Sequence, residues 1–475
     1  MYSHFGKTIL SLLLSICTLA ATLGLSRASA ETVARILPYN GVPTLFINGE
    51  PTPHMALAPI GNFLCSPSQY EAQAAGEPGL FQSGYFGSYR LHNKIFWQEA
   101  DIRTHLVDPP DSFAYTADDL RETLGLMGRE FGNALAEMNG LWWFTLAGDH
   151  TFRDKEIMDR VARFSNEASE AVKHRGSRRT DAAVFHSEDA YCRMKWGPGA
   201  ITYPLVTDMR RKLSRAGVPV DYYLLSDIAD ANLPDYKLYV FLNPFYLTDE
   251  LREAIARKVR RNNAVAVWFY APGFIREDGS FSEEGIESLT GIRVRHVRRK
   301  VKLGLDVANL DHPITAGLQG KHIEGSWKNH PVDPVFFADD PSATVLGRLT
   351  PGGDAGLAVR EFDDWRSVYF ASASMTPALF RNLARYAGCH VYSTTDDVFN
   401  ANSRYVMMHI STAGPKEIVL PGTYDVRDIF ADRLIGRGLT RINFDAARVG
   451  DTHIFELIPN SPKESIVDSN HTNRL

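Results

Sequence analysis

The stretch Lys94-Ile95-Phe96-Trp97-Gln98-Glu99-Ala100-Asp101-Ile102-Arg103-Thr104-His105 decides the reading of this chain. An apolar run closes on a single carboxylate, and Asp, Arg and His follow at once. A buried strand of a (β/α)₈ barrel reads this way where it delivers a catalytic group to its C-terminal rim. Strand alternation puts Trp97, Glu99 and Asp101 on one face, with Arg103 and His105 at the strand end. The plain alternative for Glu99 is an ion pair with Arg103.

The surrounding region, 31–175, continues in the same style. Thr44-Leu45-Phe46-Ile47-Asn48-Gly49 predicts a strand entering a turn. Cys65-Ser66-Pro67-Ser68-Gln69-Tyr70 and a Gly-rich stretch, 79–87, precede the Glu99 strand. Residues 119–140 have helical spacing, with Leu120, Leu124, Met127, Phe131 and Leu135 on one stripe. Leu141-Trp142-Trp143-Phe144-Thr145-Leu146 predicts a second buried strand, in which adjacent Trp142 and Trp143 point opposite ways and one of them is core. A helix over 155–171 follows.

Residues 179–390 alternate strands and helices. Short apolar runs at 182–186, 220–225, 238–243 and 265–270 lack polar alternation, which suits a parallel sheet covered on both faces. Amphipathic helices at 205–216 and 249–261 lie between them, the second with Thr248 as cap. This βαβ order predicts an α/β, flavodoxin-like, doubly wound layer. Strands at 344–349, 356–361 and 367–371 extend it. Residues 391–460 hold short strands at 405–410, 417–420, 425–429 and 452–457, the spacing of a small β-sandwich. The polar tail, 461–475, reads as disordered.

At 475 residues the chain suggests two or three domains, and its 44% hydrophobic and 23% charged content are those of a globular protein. A net charge of -5 with intermixed signs argues against a nucleic-acid partner. Four cysteines at unrelated spacings support neither a metal site nor a disulfide framework. Isolated cysteines of this kind are usually small core residues. No cofactor motif is found.

Taken with Trp142-Trp143, with the run 381–392 (RNLARYAGCHVY) and with Asp397-Val398-Phe399-Asn400-Ala401-Asn402, the Glu99 strand resembles the nucleophile strand of clan A glycoside hydrolases. The closest likeness is to β-galactosidase-like proteins related to glycoside hydrolase family 42. The resemblance covers nearly the whole chain after residue 30. It implies a barrel, then a class I amidotransferase-like domain, then a small β domain. It implies Glu99 as the nucleophile of a retaining reaction, on the seventh strand. Trp97, Asp101, Arg103, His105, Trp142 and Trp143 would line the sugar site; Ser66 and Ser88 resemble rim residues of the family, and a structural role is the stronger reading for each. A carbohydrate, a β-galactoside or related glycan, is then the partner, and a homo-oligomer is implied.

The chain departs from that family in one respect. A complete barrel takes about 200 residues at the least, whereas region 31–175 has about 140. The family's acid/base Glu follows an Asn on the fourth strand, and strands two to five are missing here, with 61–65 as the join. The pair Asn166-Glu167 falls inside a helical pattern and reads as solvated surface.

Rival readings are weaker. Glutaminase activity needs a Cys on the elbow Trp268-Phe269-Tyr270-Ala271-Pro272-Gly273, which has none. A nucleotide site needs a Gly-rich loop after the first strand of the α/β layer. His186-Ser187-Glu188-Asp189-Ala190 is acidic there instead. Two functions stay open: a retaining glycosidase with an incomplete barrel, and a non-catalytic carbohydrate-binding or assembly relative. The expected organisation is a signal peptide (1–30), incomplete barrel (31–175), α/β domain (179–390), β-sandwich (391–460) and tail.

The N-terminus predicts export. Lys7 precedes a largely apolar run, 9–25, and Ala28-Ser29-Ala30 is a small-x-small cleavage pattern. The product would be secreted or periplasmic, without a membrane anchor after cleavage. N-terminal sequencing of exported material should read from Glu31, and a start at Met1 would overturn the expectation.

Overall fold

The computed structural model describes residues 34–459, apart from 40–41, 52–62, 68, 80–83, 112, 145–147, 175, 179, 195–200, 202 and 326–330. The expected signal at 1–30 and tail at 461–475 lie outside the described residues, as does part of the join at 61–65. The rest is a mixed α/β protein with several sheets.

The largest sheet forms where apolar runs were continuous. Val220–Leu224, Ala182–His186, Leu238–Phe241, Val265–Phe269 and Arg366–Phe370 are parallel neighbours in that order. Three of them, Ala182–His186, Leu238–Phe241 and Val265–Phe269, are buried at every position. Beyond Arg366–Phe370 the sheet turns antiparallel through Ala355–Glu361, Thr344–Thr350, Gly304–Val307 and His322–Glu324. Val294–Val297 and Val335–Ala338 branch from it. Several of these short strands escape sequence reading because Arg295, His296, Asp306, His322 and Glu324 interrupt any apolar run. The helix expected at 205–216 is present over 203–213, its first part π-helical, Tyr203–Asp208, and its second the α-helix Met209–Leu213.

The Glu99 strand, Ile95–Asp101, is the middle of a three-stranded parallel sheet, between Phe63–Pro67 and Gly140–Phe144. Val42–Ile47 does not join it. That strand pairs antiparallel with Ala34–Tyr39 and Glu50–Pro51 in a sheet of its own. The reason is local: Asn48 (φ 53°) and Gly49 (φ 87°) are left-handed, and an Asn-Gly pair of that kind folds a strand straight back.

Helix Leu120–Glu137 covers one face of the three strands. Asp119 caps it by accepting from the Glu122 N–H at 2.8 Å. Gln98 faces it and donates to Glu130 Oε2 at 2.6 Å. Its other side meets the C-terminal sheet at close range. A Cβ at Gly125 would stand 2.1 Å from the Gly450 carbonyl oxygen, and one at Gly132 would stand 2.3 Å from Met407. That C-terminal region is one five-stranded antiparallel sheet: Val398–Ala401, Tyr405–His409, Thr452–Pro459, Gly414–Asp428, Arg433–Ala446. Two separate facing sheets are not formed among the described residues. The expected strands at 417–420 and 425–429 are one, with register shifts between Val419 and Tyr424. Arg433–Ala446 was not expected, because its exposed Arg, Gly and Thr positions carry no apolar signal.

Three buried charges and one little-exposed arginine, Arg90, hold these parts together. Arg90 donates to Glu137 (2.9 Å) and Asp221 (2.7 Å), and Arg178 bridges the same two carboxylates at 2.8 and 3.0 Å. Arg178 also donates to Asn400 Oδ1 and the Ala401 carbonyl, both at 2.8 Å. Burial pushes the Asp221 pKa up, but Arg90 and Arg178 outweigh it and the net shift is downward. Its folded pKa is below the unfolded value, so it stabilises at higher pH and that contribution is lost as pH falls through the carboxylate range. Replacing Arg178 with Met leaves two buried carboxylates short of a cation, which typically costs about 3–5 kcal/mol. Urea unfolding of the variant should show that loss, and a change below about 1 kcal/mol would mean that the network is not desolvated.

Candidate active-site face

The face of the three-stranded sheet turned away from helix Leu120–Glu137 carries Glu99. In register, Glu99 has Pro67 on one neighbour and Trp142 on the other. It is half-buried. Cys65, paired with Trp97 on the adjacent strand, lies diagonally across, and its Sγ donates to Glu99 Oε2 at 3.9 Å. Burial raises the Glu99 pKa, the Asp101 charge raises it further, and the Cys65 contact opposes both. The Cys65 thiol is in turn pushed up to about 11, by burial first and then by Glu99.

Arg103 does not pair with Glu99. Its guanidinium donates to Asp101 and, at 2.7 Å, to Asp111. Asp101 has no exposed surface, accepts from the Tyr70 hydroxyl at 3.0 Å, and has its backbone carbonyl bonded by Gln73 at 3.1 Å. Asp101 and Arg103 therefore anchor the strand end, and the ion-pair alternative for Glu99 is answered by Asp101 and Asp111 taking that role. Trp97 is buried. His105 is tied to helix Leu120–Glu137, its N–H and Nδ1 lying 3.0 and 3.1 Å from Thr123 Oγ1.

The two tryptophans separate as alternation requires. Trp142 stands beside Glu99, half-buried and edge-on to Phe144 at 5.0 Å. Trp143 turns the other way and stacks on Phe164 of helix Lys155–Lys173 at 5.9 Å. Ser88 accepts from the Leu224 N–H at 2.8 Å, a structural bond, and Ser66 donates to the Pro67 carbonyl.

Two expectations need correction. Glu167 is not solvated surface: Arg427 of the C-terminal sheet grips both its oxygens, at 3.1 and 2.6 Å. Cys65 and Cys192 are exposed, and of the described cysteines only Cys389 is the buried kind. Cys65 is the residue that sequence reasoning missed at this face. Its relation to Glu99 depends on strand register, which no local motif encodes.

The arrangement offers one half-exposed carboxylate with a flat aromatic neighbour. Among the described residues, the carboxylate that acts on Glu99 is Asp101, and Asp101 is already committed to Arg103 and Tyr70. No group of three or more His, Cys, Asp or Glu among the described residues could hold a metal. In the α/β region, Tyr270 occupies the elbow after Val265–Phe269 with φ 60°, and its hydroxyl donates to the Pro334 carbonyl at 2.5 Å. No helix of the described residues is long and apolar enough to cross a membrane.

The contact between Cys65 and Glu99 can be tested by thiol chemistry. The thiolate is the reactive form, so a pKa near 11 makes Cys65 slow to alkylate at pH 8 despite its exposure. Glu99→Gln removes the opposing charge and should speed iodoacetamide labelling of Cys65, read by peptide mass spectrometry. An unchanged labelling rate would separate the two side chains in solution.

Comparison with known proteins places this fold. No protein-family model matches the chain, and no curated protein matches it. Solved structures do. A β-galactosidase from Rahnella sp. R3 aligns with TM-score 0.58 at 14% identity, over 83% of this chain and 60% of that one. A β-galactosidase from Bacillus circulans sp. alkalophilus aligns with TM-score 0.54 at 14% identity, over 81% and 62%. An α-L-fucosidase isoenzyme from Paenibacillus thiaminolyticus aligns with TM-score 0.50 at 13% identity, over 84% and 65%. This chain spans about three fifths of the length of the two β-galactosidases. At such identities the likeness is one of fold alone: the chain's fold is similar to that of these β-galactosidase structures.

Proposed function

We propose that the chain is a β-galactosidase-like glycoside hydrolase that binds β-galactosides or related glycans on the Glu99 face. The observation that carries this reading is Glu99 itself, half-exposed beside Trp142 and left unpaired by the nearby Arg103. Its three parallel strands stand for part of a (β/α)₈ barrel, with strands two to five missing. Residues 179–390 form the amidotransferase-like doubly wound domain and 391–460 the small β domain. The protein is exported after cleavage at residue 30, and assembles as a homo-oligomer.

In the retaining reaction Glu99 attacks the anomeric carbon, the glycosidic C–O bond breaks, and water later releases the sugar from the ester. A second carboxyl about 5–5.5 Å away normally protonates the leaving oxygen. Asp101 does not offer that proton, so water must supply it. General acid catalysis is typically worth about 10²–10⁴-fold, and activated aryl glycosides need it least. The commitment of Asp101 to Arg103 also favours a second reading: a non-catalytic relative that binds glycans on the same face.

Turnover of nitrophenyl β-galactoside against lactose distinguishes the two. Slow aryl-glycoside hydrolysis, little lactose hydrolysis and complete loss in Glu99→Gln are expected. Because the Glu99 pKa is raised, the active carboxylate forms later, and the acidic limb should lie above the ordinary value of 4.5. Fast lactose hydrolysis would show that a proton donor is present. Full activity in Glu99→Gln would remove Glu99 from the mechanism, and saturable glycan binding without turnover would select the second reading.

A further inference from the structure

Away from the Glu99 face, one cluster contains buried polar atoms that the protein leaves unmatched. It lies at the C-terminal end of Ala182–His186. Val220–Leu224 pairs with one side of that strand and Leu238–Phe241 with the other, so the connections leave in opposite directions. A crevice at that reversal is where sheets of this kind hold ligands.

His186 closes the strand and is only 7% exposed. Its Nδ1 lies 2.5 Å from the Tyr85 hydroxyl, with the two rings stacked at 5.2 Å and Tyr191 edge-on at 4.9 Å. The Tyr85 proton is best used on Nδ1, which leaves the imidazole proton on Nε2. Burial, and then Arg210, hold this imidazole down to about 3, so it is neutral. Nε2 is thus a buried donor with no partner among the described residues.

Two more atoms share its condition. Arg210 is 4% exposed and lies over the Tyr85 ring at 5.0 Å. One of its terminal nitrogens donates to the Gly84 carbonyl, while Nε is buried and unmatched. Glu188 accepts from Ser226 at 2.5 Å through Oε1, and its buried Oε2 has no partner among the described residues. Its charge acts on Tyr85, and that of Arg210 on His186, which places all of them in one neighbourhood.

Together these atoms are two donors and one acceptor beside two tyrosine rings. Arg210 and Glu188 cancel in charge. An anion would meet Glu188 and a cation would meet Arg210, so a charged ligand is disfavoured by one of the two. A hydroxyl both accepts and donates, so a polyhydroxylated ring offers a partner of the right kind to each of these atoms. We propose that Tyr85, His186, Glu188, Tyr191 and Arg210 form a second binding site, for a neutral, hydroxyl-rich ring of monosaccharide size. It shares no residue with the Glu99 face and stands whether or not Glu99 is catalytic.

Calorimetric titration of the full chain with free galactose tests this, with galacturonate and galactosamine as charged counterparts. Saturable galactose binding should survive Glu99→Gln. It should weaken about tenfold or more in Glu188→Gln and in His186→Phe, since each change leaves a buried partner unmade. Both charged sugars should bind more weakly than galactose. If His186→Phe fails to fold, Glu188→Gln decides alone, provided its melting temperature matches the parent. The proposal is overturned by the lack of saturable binding, by binding that Glu188→Gln leaves unchanged, by loss of all binding in Glu99→Gln, or by galacturonate or galactosamine binding more tightly than galactose.

Discussion

The Glu99 sheet, the α/β sheet and the C-terminal sheet are tied to one another by one set of charges: Arg90 and Arg178 against Glu137 and Asp221. Each member comes from a different place: the helix before the Glu99 strand, the end of helix Leu120–Glu137, the linker into the α/β sheet, and the second strand of that sheet. Asn400 of the C-terminal sheet joins through Arg178 and through Glu137 Oε1 at 3.2 Å. Four charges in alternating sign, three of them buried, are tolerable only when every one is matched, because an unpaired charge in that setting is strongly destabilising. The network thus fixes the orientation of all three regions more sharply than apolar contact alone, which is indifferent to small slips.

The C-terminal sheet is held by the same logic at its far end. His409 accepts from the Gly76 N–H at 2.9 Å and lies 2.8 Å from Thr452 Oγ1, which donates to the Gly125 carbonyl at 2.6 Å. Arg427 clasps Glu167 and Glu456. Helix Leu120–Glu137 is therefore sandwiched, with the Glu99 sheet on one side and the C-terminal sheet on the other. Its bare glycine stripe is the sequence feature that allows the second contact. A helix with packing on both sides can hold the strand beneath it steady even though that sheet has only three strands.

Local chemistry made much of this legible in the sequence. The parallel order of the α/β sheet follows from its apolar runs, and the Thr248 cap follows from residue type. The Glu99 strand was legible for the same reason, as was the division of labour between Trp142 and Trp143. What sequence could not supply was register and partnership. Arg103 choosing Asp101 over Glu99, Cys65 lying across from Glu99, and Glu167 reaching Arg427 all depend on which strand lies beside which. Strand Val42–Ile47 belongs instead with the local cases: the Asn48-Gly49 pair marks its turn in the sequence, and the chain folds straight back there.

The two kinds of polar residue at the Glu99 strand differ in what stability asks of them. Asp101 and Arg103 satisfy one another in the interior, and removing either would strand the other. Among the described residues no cation matches Glu99, and its pKa is raised by burial and by Asp101. A carboxylate whose folded pKa exceeds its unfolded value disfavours folding at neutral pH, where its charged form is the common one. Glutamine at this position would avoid that penalty while keeping the shape. The fold therefore gains nothing from the charge at Glu99, and a stability-neutral or stability-costly ionised group on an accessible face is the usual mark of a position kept for chemistry or recognition.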